Sequence, residues 1–255
     1  MVSPLKVKKS VRRYLGYESL ERGLLKRTLD HVSQNLEEAI IFGGMIREFG
    51  LGNTRFFKSD IDIVSLSSRL EIYAAIKDYS PKLNKFGGFR FSVGTQLFDI
   101  WSFNDTWAFR AGLVKAASIN DIVKTTFFNL DAAAFSLQSK ELLHSDDYAE
   151  ALRARLLDLN LQENPSPASM ARRAMRMVVE NELSVSRRLA EYIVSNSKLR
   201  NVDYASSLFL TDLRKFIDSP SEEKFNFSPQ KSLFLESENV SSQSDSILNE
   251  SLPRS

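Results

Sequence analysis

A short acidic strand narrows the possibilities for this chain. In Ser59-Asp60-Ile61-Asp62-Ile63-Val64, two aspartates alternate with isoleucines in a β-branched, strand-forming run. Side chains alternate along a strand, so Ile61 and Ile63 predict a buried face, with Asp60 and Asp62 together on the other. Asp99, in Leu97-Phe98-Asp99-Ile100-Trp101, repeats the pattern; if the two strands are neighbours, three carboxylates converge. Like charges that close raise one another's pKa unless a positive charge sits among them. A divalent cation is the economical solution, and an all-oxygen donor set selects Mg²⁺ or Mn²⁺ over zinc. A lone D-x-D more often faces water at a strand end, so the reading needs support from elsewhere.

That support comes from what precedes the strand. Ala39 to Phe42 is an apolar tetrad that runs into Gly43-Gly44 and then MIREFGLG: strand, glycine turn, helix. Backbone N–H groups at such a turn and helix start can cradle phosphate, and Arg47, one turn on, could reach the same anion. Glycine pairs alone are mostly plain turns. The order says more: glycine turn, helix, acidic strand, and a third acid on a later strand. A phosphate cradle beside a divalent-metal site is what nucleotidyl transfer requires. One metal would lower the pKa of an attacking hydroxyl while another neutralises the triphosphate and leaving pyrophosphate.

The rest of the chain sets this constellation in a small α/β region over roughly 36–145. Residues 17–38 place Leu20, Leu24, Leu25, Leu29 and Val32 at helical spacing. EIYAAIKDYS reads as a helix closed by Pro81, and FGGFRFSVG and TQLFDIWSF as two strands joined at Gly94. Residues 106–115 and 119–137 are expected to be mostly helical. After Asp146 the pattern is helix only, with Pro165 and Pro167 at a joint, and from Ser219 a Ser-rich, aperiodic tail is expected to be disordered. In that tail FNFS and SLFLE are possible docking segments for a protein partner. The expected divisions are an N-terminal basic helical segment (1–35), a head (36–145), a helical neck (146–218) and the tail (219–255).

Composition excludes several chemistries. No cysteine is present, which removes thiolate metal sites and cysteine nucleophiles, and two histidines are too few for a histidine-rich centre. No serine–histidine–acid pairing stands out, so hydrolase chemistry has no support. No apolar run approaches the roughly 18 residues of a membrane span, so no membrane partner is expected. The start, MVSPLKVKKS, carries charges where a signal peptide would be apolar, which makes the cytoplasm the default location. A formal net charge of +2 hides a basic body and an acidic tail. The body's excess suits a partner bearing phosphates, or a solvated helix surface.

These residues resemble the DNA polymerase β-like nucleotidyltransferase superfamily, in particular the head and neck of the class II tRNA nucleotidyltransferase and bacterial poly(A) polymerase group. That group's GGxVRDxxLG stretch is similar to Gly43-Gly44-Met45-Ile46-Arg47-Glu48 with Leu51-Gly52, followed by Asp60-Ile61-Asp62 and, on a later strand, Asp99. FNLDAAAF (Phe128 to Phe135) resembles the group's FTINALAY segment, and Arg172 to Met177 its RAxRF neck motif; the similarity covers roughly 36–190. The resemblance implies an α+β polymerase β-like head with a mixed sheet, then an all-helical neck. It implies two Mg²⁺ or Mn²⁺ ions on Asp60, Asp62 and Asp99, with Asp99 helping to deprotonate the acceptor. Gly43, Gly44 and Arg47 would hold the triphosphate of an NTP or dNTP, with Lys58 and Ser59 beside them. Arg173 and Arg176 would contact the nucleotide from the neck, or are simply a basic helix face. Asn129 and Asp131 would touch the sugar, or cap a helix. Trp101 and Trp107 would stack on a base, or belong to the core.

The chain also departs from the group. Its linker before the D-x-D is longer, with Arg55 and Lys58 in it. Thr125 to Phe127 replaces the sugar-contacting Arg-Arg-Asp, and Ser166, Pro167 and Met170 replace the ED-x-x-R that reads CTP and ATP. CCA addition is therefore not expected. The expectation is template-independent transfer of NMP or dNMP to a hydroxyl of a nucleic-acid 3′ end or of a nucleotide, the latter giving an oligonucleotide. The compact format resembles stand-alone enzymes of toxin and anti-phage systems. Rival readings are a toxin-type modification of tRNA or protein, and an inactive head kept as a binding module.

Overall fold

The computed structural model describes residues 2–16, 20–54, 57, 59–84, 87–197, 204–219 and 221–227. They form two compact units, Met1–Pro167 and Ala168–Ser255. No described helix is long and apolar enough to cross a membrane.

The first unit is built on a mixed sheet of β1 (Ile40–Phe42), β2 (Ile61–Ser65), β3 (Lys82–Leu83), β4 (Phe89–Val93), β5 (Gln96–Ser102), β6 (Ala133–Ser136) and β7 (Leu142–His144). Their order is β3-β4-β5-β2-β1-β6-β7, with β2 and β5 parallel and the other pairs antiparallel. Helices α1 (Pro4–Gly16), α2 (Leu20–Asn35), α3 (Gly44–Leu51), α4 (Arg69–Ile76), α5 (Trp107–Arg110) and α6 (Tyr148–Ala154) flank it, and β8 (Leu156–Leu157) follows α6. One sheet face is apolar throughout: Ile41, Ile61, Ile63, Phe98, Ile100 and Phe135 have no exposed surface. Strand alternation does this, and the same alternation sends Asp62 and Asp99 to the opposite face. A pair further along, that opposite face is apolar too, where Ile40, Val64 and Trp101 pack with Ile122, Val123 and Phe103.

Local signals fix the elements around the site. Helix α4 opens with a reciprocal cap: Ser68 Oγ accepts from the Glu71 amide, and the Ser68 amide donates to Glu71 Oε2 at 2.7 Å. The Gly94-Thr95 turn closes β4 onto β5 with Val93 opposite Gln96, which sets the register of the hairpin. A Cβ on Gly88 would stand 2.9 Å from the Trp101 Cβ and 3.0 Å from the Ile100 carbonyl oxygen, so β4 approaches β5 there only as glycine.

Two sequence expectations give way here. The region 119–137 is not mostly helical: Ile119–Thr125 and Asn129–Asp131 are 3-10 turns, and Ala133–Ser136 is a fully buried strand between β1 and β7. Alanine's helix preference is overridden by two strand neighbours waiting for a partner. Residues 106–115 keep only the short α5.

The second unit comprises α7 (Pro167–Asn181, whose first residue closes the first unit), β9 (Ser184–Ser186), α8 (Arg187–Asn196), α9 (Tyr204–Asp218) and β10 (Lys224–Asn226). It is not helical throughout, since β9 pairs antiparallel with β10. The stretch after Ser219, expected to be disordered, thus supplies a strand containing the FN of FNFS, while SLFLE lies outside the described residues. Arg187 anchors that strand's approach. Its guanidinium donates to the carbonyls of Ile217 at 2.7 Å, Ser219 at 2.7 Å and Glu222 at 3.0 Å, and lies over the Phe216 ring.

Candidate active site

Strand register assembles the site. Phe42, Asp62, Asp99, Arg90 and Lys82 are successive cross-strand partners on β1, β2, β5, β4 and β3. Partners in register project to the same side, so one lateral row runs from the glycine turn, through two acids, to two cations. Asp60, just before β2, joins the row through Arg90.

Arg90 is the residue that sequence reasoning missed. Its Nε donates to Asp99 Oδ1 at 3.0 Å, its Nη2 donates to Asp99 Oδ2, and the same Nη2 reaches Asp60 Oδ2 at 3.1 Å. Hydrogen bonds and charge from Asp99 first, then the charges of Asp60 and Asp62, push the guanidinium's pKa up. Asp60 and Asp99 meet on one guanidinium, with Asp62 in register beside Asp99, and the positive charge among them comes from the chain itself. The compensation expected from a divalent cation is thus made here by a guanidinium. A readable signal existed: in a hairpin with Val93 opposite Gln96, counting back places Arg90 opposite Asp99.

The donor types still suit a hard cation, since Asp60 and Asp99 meet at Arg90 and Asp62 is the register partner of Asp99. As arranged, Asp99 is engaged by Arg90, and among the described residues no group of three His, Cys, Asp or Glu side chains forms a metal cage.

The glycine turn lies directly against the acids. Gly43 has φ 69° and ψ −132°, a conformation reserved for glycine, and a Cβ there would be 3.2 Å from Asp62 Oδ2. Ser59, exposed, borders Gly44. Turn, helix start and Asp62 are thus contiguous, as expected.

Other expected ligands are employed differently. Arg47 is buried, with Nη1 on Asp131 Oδ1 at 2.6 Å and Nη2 on Glu48 Oε1 at 3.2 Å, so its fork holds α3 to the Asn129–Asp131 turn and not a phosphate. Those carboxylates outweigh the cost of burying it and raise its pKa. Asp131 is correspondingly buried, not offered to a sugar. Asn129 donates to the Leu156 carbonyl and accepts from the Asp158 amide, both at 3.0 Å, and so ties the turn to β8. Lys58 lies outside the described residues. Arg173 and Arg176 belong to the second unit, where Arg176 is exposed on α7. Trp101 packs edge-on to Phe42 and donates to Thr106 Oγ1 at 3.2 Å, while Trp107 is 39% exposed.

Among solved structures, the Thermotoga maritima CCA-adding enzyme complexed with tRNA superposes with a TM-score of 0.57 at 16% identity, covering 85% of this chain and 55% of that one. A CCA-adding enzyme with CTP gives 0.56 at 16% identity, over 91% and 53%. An apo CCA-adding enzyme gives 0.56 at 18%, over 74% and 45%. This chain shares the fold of the CCA-adding enzymes. It spans about half the length of these solved structures. No known family profile and no curated protein matches the sequence.

Proposed function

We propose that this protein is a template-independent nucleotidyltransferase, moving NMP or dNMP from a nucleoside triphosphate to a hydroxyl and releasing pyrophosphate. One observation carries the reading: Asp62 and Asp99 are register partners on parallel strands, with the Gly43 turn against Asp62. Sharing a fold with CCA-adding enzymes, some solved with ATP or CTP, supports it.

In this reading the Gly43-Gly44 turn and the first N–H groups of α3 hold the donor's polyphosphate. The acceptor oxygen attacks the α-phosphorus, and the bond from that phosphorus to the β-phosphate's bridging oxygen breaks. Pyrophosphate leaves with that electron pair, while the hydroxyl proton passes to Asp99. Asp60, Asp62 and Asp99 would hold Mg²⁺ or Mn²⁺, two ions in all, which supply neutralisation of the polyphosphate and a lowered hydroxyl pKa when bound. Arg90 compensates Asp99 and Asp60, and would have to release them for an ion to be held there. The acceptor is a nucleic-acid 3′ end or a nucleotide.

The test offers each NTP and dNTP with Mg²⁺ or Mn²⁺, with and without RNA or DNA, and reads pyrophosphate and extended products. Asp60→Asn combined with Asp62→Asn abolishes both while circular dichroism stays unchanged; persistent turnover removes the site assignment. The Arg90 bridge favours one rival, an inactive head whose acids are structural. Mn²⁺ titration followed by electron paramagnetic resonance separates the two. Transfer requires that the wild type bind Mn²⁺ and that Arg90→Leu bind it more tightly; no binding by either leaves the binding-module reading standing.

A further inference from the structure

Of the three acids, Asp60 alone is not placed by the sheet. Asp62 and Asp99 face each other in the β2–β5 ladder, whereas Asp60 stands one residue before β2 and has no cross-strand partner among the described residues. Register fixes the side a strand residue takes, so the place of Asp60 must come from the segment leading to it. That segment, residues 52–60, is the long linker between α3 and β2. At ~3.5 Å per residue it could span roughly 28 Å, and a carboxylate on a loose tether of that reach has no fixed position. The linker is instead held at three points. At its start Gly52 is left-handed, with φ 92°, and Asn53 closes on α3: its amide donates to the Glu48 carbonyl at 2.9 Å and its Nδ2 to Glu48 Oε2 at 3.0 Å. In its middle, Phe57 joins a trio of rings. It stands edge-on to Tyr14 of α1 and to Phe49 of α3, both at 6.0 Å, and those two meet edge-on at 5.0 Å. The Arg22 guanidinium of α2 lies 4.5 Å over the Tyr14 ring. At its end, Gln96, beside the tight β4–β5 turn, donates from Nε2 to the Ser59 carbonyl at 2.9 Å and the Leu97 carbonyl at 3.0 Å.

We infer that Phe57, Tyr14 and Gln96 are positioning residues for Asp60, and that α1 serves the site by packing the ring that anchors the linker. The inference rests on the transfer reading above and deepens it. Phe57 is three residues from Asp60, so the ring trio tethers that acid within roughly 11 Å. Gln96 acts closer still. The Ser59 carbonyl belongs to the planar peptide that joins Ser59 to Asp60, so holding its oxygen fixes the plane from which Asp60 departs. Rings set where the linker lies, and the amide sets how its last peptide is turned. With both in place, Asp60 Oδ2 lies 3.1 Å from Arg90 Nη2, and Ser59 stands against Gly44. Tyr14 is held in turn by its own helix. Val7, Val11 and Tyr14 recur at i, i+4 and i+7, and both valines are buried.

The test follows Mn²⁺ binding to the full chain by electron paramagnetic resonance, alongside hydrogen–deuterium exchange read by mass spectrometry. Phe57→Ala is expected to weaken Mn²⁺ binding about tenfold or more, as the loss of an orienting neighbour does at metal sites, and Gln96→Met to do likewise. Phe57→Tyr, which keeps the ring, should bind as the wild type does. Adding Phe57→Ala to Asp60→Asn should change the remaining affinity by less than about twofold, whereas adding it to Asp62→Asn should still weaken binding. Equal losses in the two backgrounds, or wild-type affinity in Phe57→Ala, would overturn the inference. If the wild type itself binds no Mn²⁺, the transfer reading fails, and exchange decides whether these residues place Asp60. Peptides covering 59–62 should exchange faster in Phe57→Ala than in the wild type, while those covering Ala133–Ser136 keep wild-type rates. Unchanged exchange at 59–62, or the same acceleration in both regions, sinks the positioning role.

Discussion

Tyr148 is fully buried, and its hydroxyl makes no hydrogen bond among the described residues. A Cβ on Gly50 would come within 2.9 Å of that oxygen, so no group of α3 can turn toward it there. An unsatisfied buried hydroxyl costs about 1–3 kcal/mol, and Tyr148→Phe should stabilise the protein by about 1 kcal/mol in urea unfolding. Burial first, and the Asp131 charge second, raise this phenol's pKa above 10 in the folded state. A raised folded pKa means that the unfolded chain ionises first, so wild-type stability falls as pH climbs past 10. Comparing wild type with Tyr148→Phe at pH 8 and 11 should show the gap widening. Gly43 makes a second prediction at this scale. Gly43→Ala forces a side chain into a glycine-only conformation, costs about 1–3 kcal/mol, and drives a methyl against Asp62. Nucleotide binding measured by calorimetry should weaken even where the variant stays folded.

Between elements, the buried Arg47–Asp131 pair joins α3 to the Asn129–Asp131 turn, and so fixes where the glycine turn points. Removing one partner strands the other, which costs about 3–5 kcal/mol. Arg47→Met should lower the unfolding free energy by that much, and adding Asp131→Asn should restore part of it in a double-mutant cycle. This pair also shows why part of the site could not be read from the sequence. Arg47 and Asp131 are 84 positions apart, and nothing local distinguishes a guanidinium aimed at a phosphate from one aimed at a carboxylate. The acidic strand and the β4–β5 hairpin were legible because period-two alternation and a two-residue turn are local. The parallel pairing of β2 with β5 was only a condition of the argument. Ala133–Ser136 misled because its alanines vote for helix, whereas its strand character comes from β1 and β7 on either side.

At the scale of the molecule, the change of character after the first unit was visible in composition, although the second unit's strands β9 and β10 were not, each being too short to show a period. Charge counting likewise proposed a phosphate-seeking body but could not sort its arginines. Arg187 closes a helix end, and Arg47 is buried against carboxylates. The outer strand β3 contributes only Lys82 and Leu83, directly after Pro81. Such a brief rim, with a proline leading into it and a lysine on it, offers too few main-chain groups for another polypeptide to zip onto. The sheet therefore leaves its wet flank available to solutes without turning it into a seed for fibrous self-association.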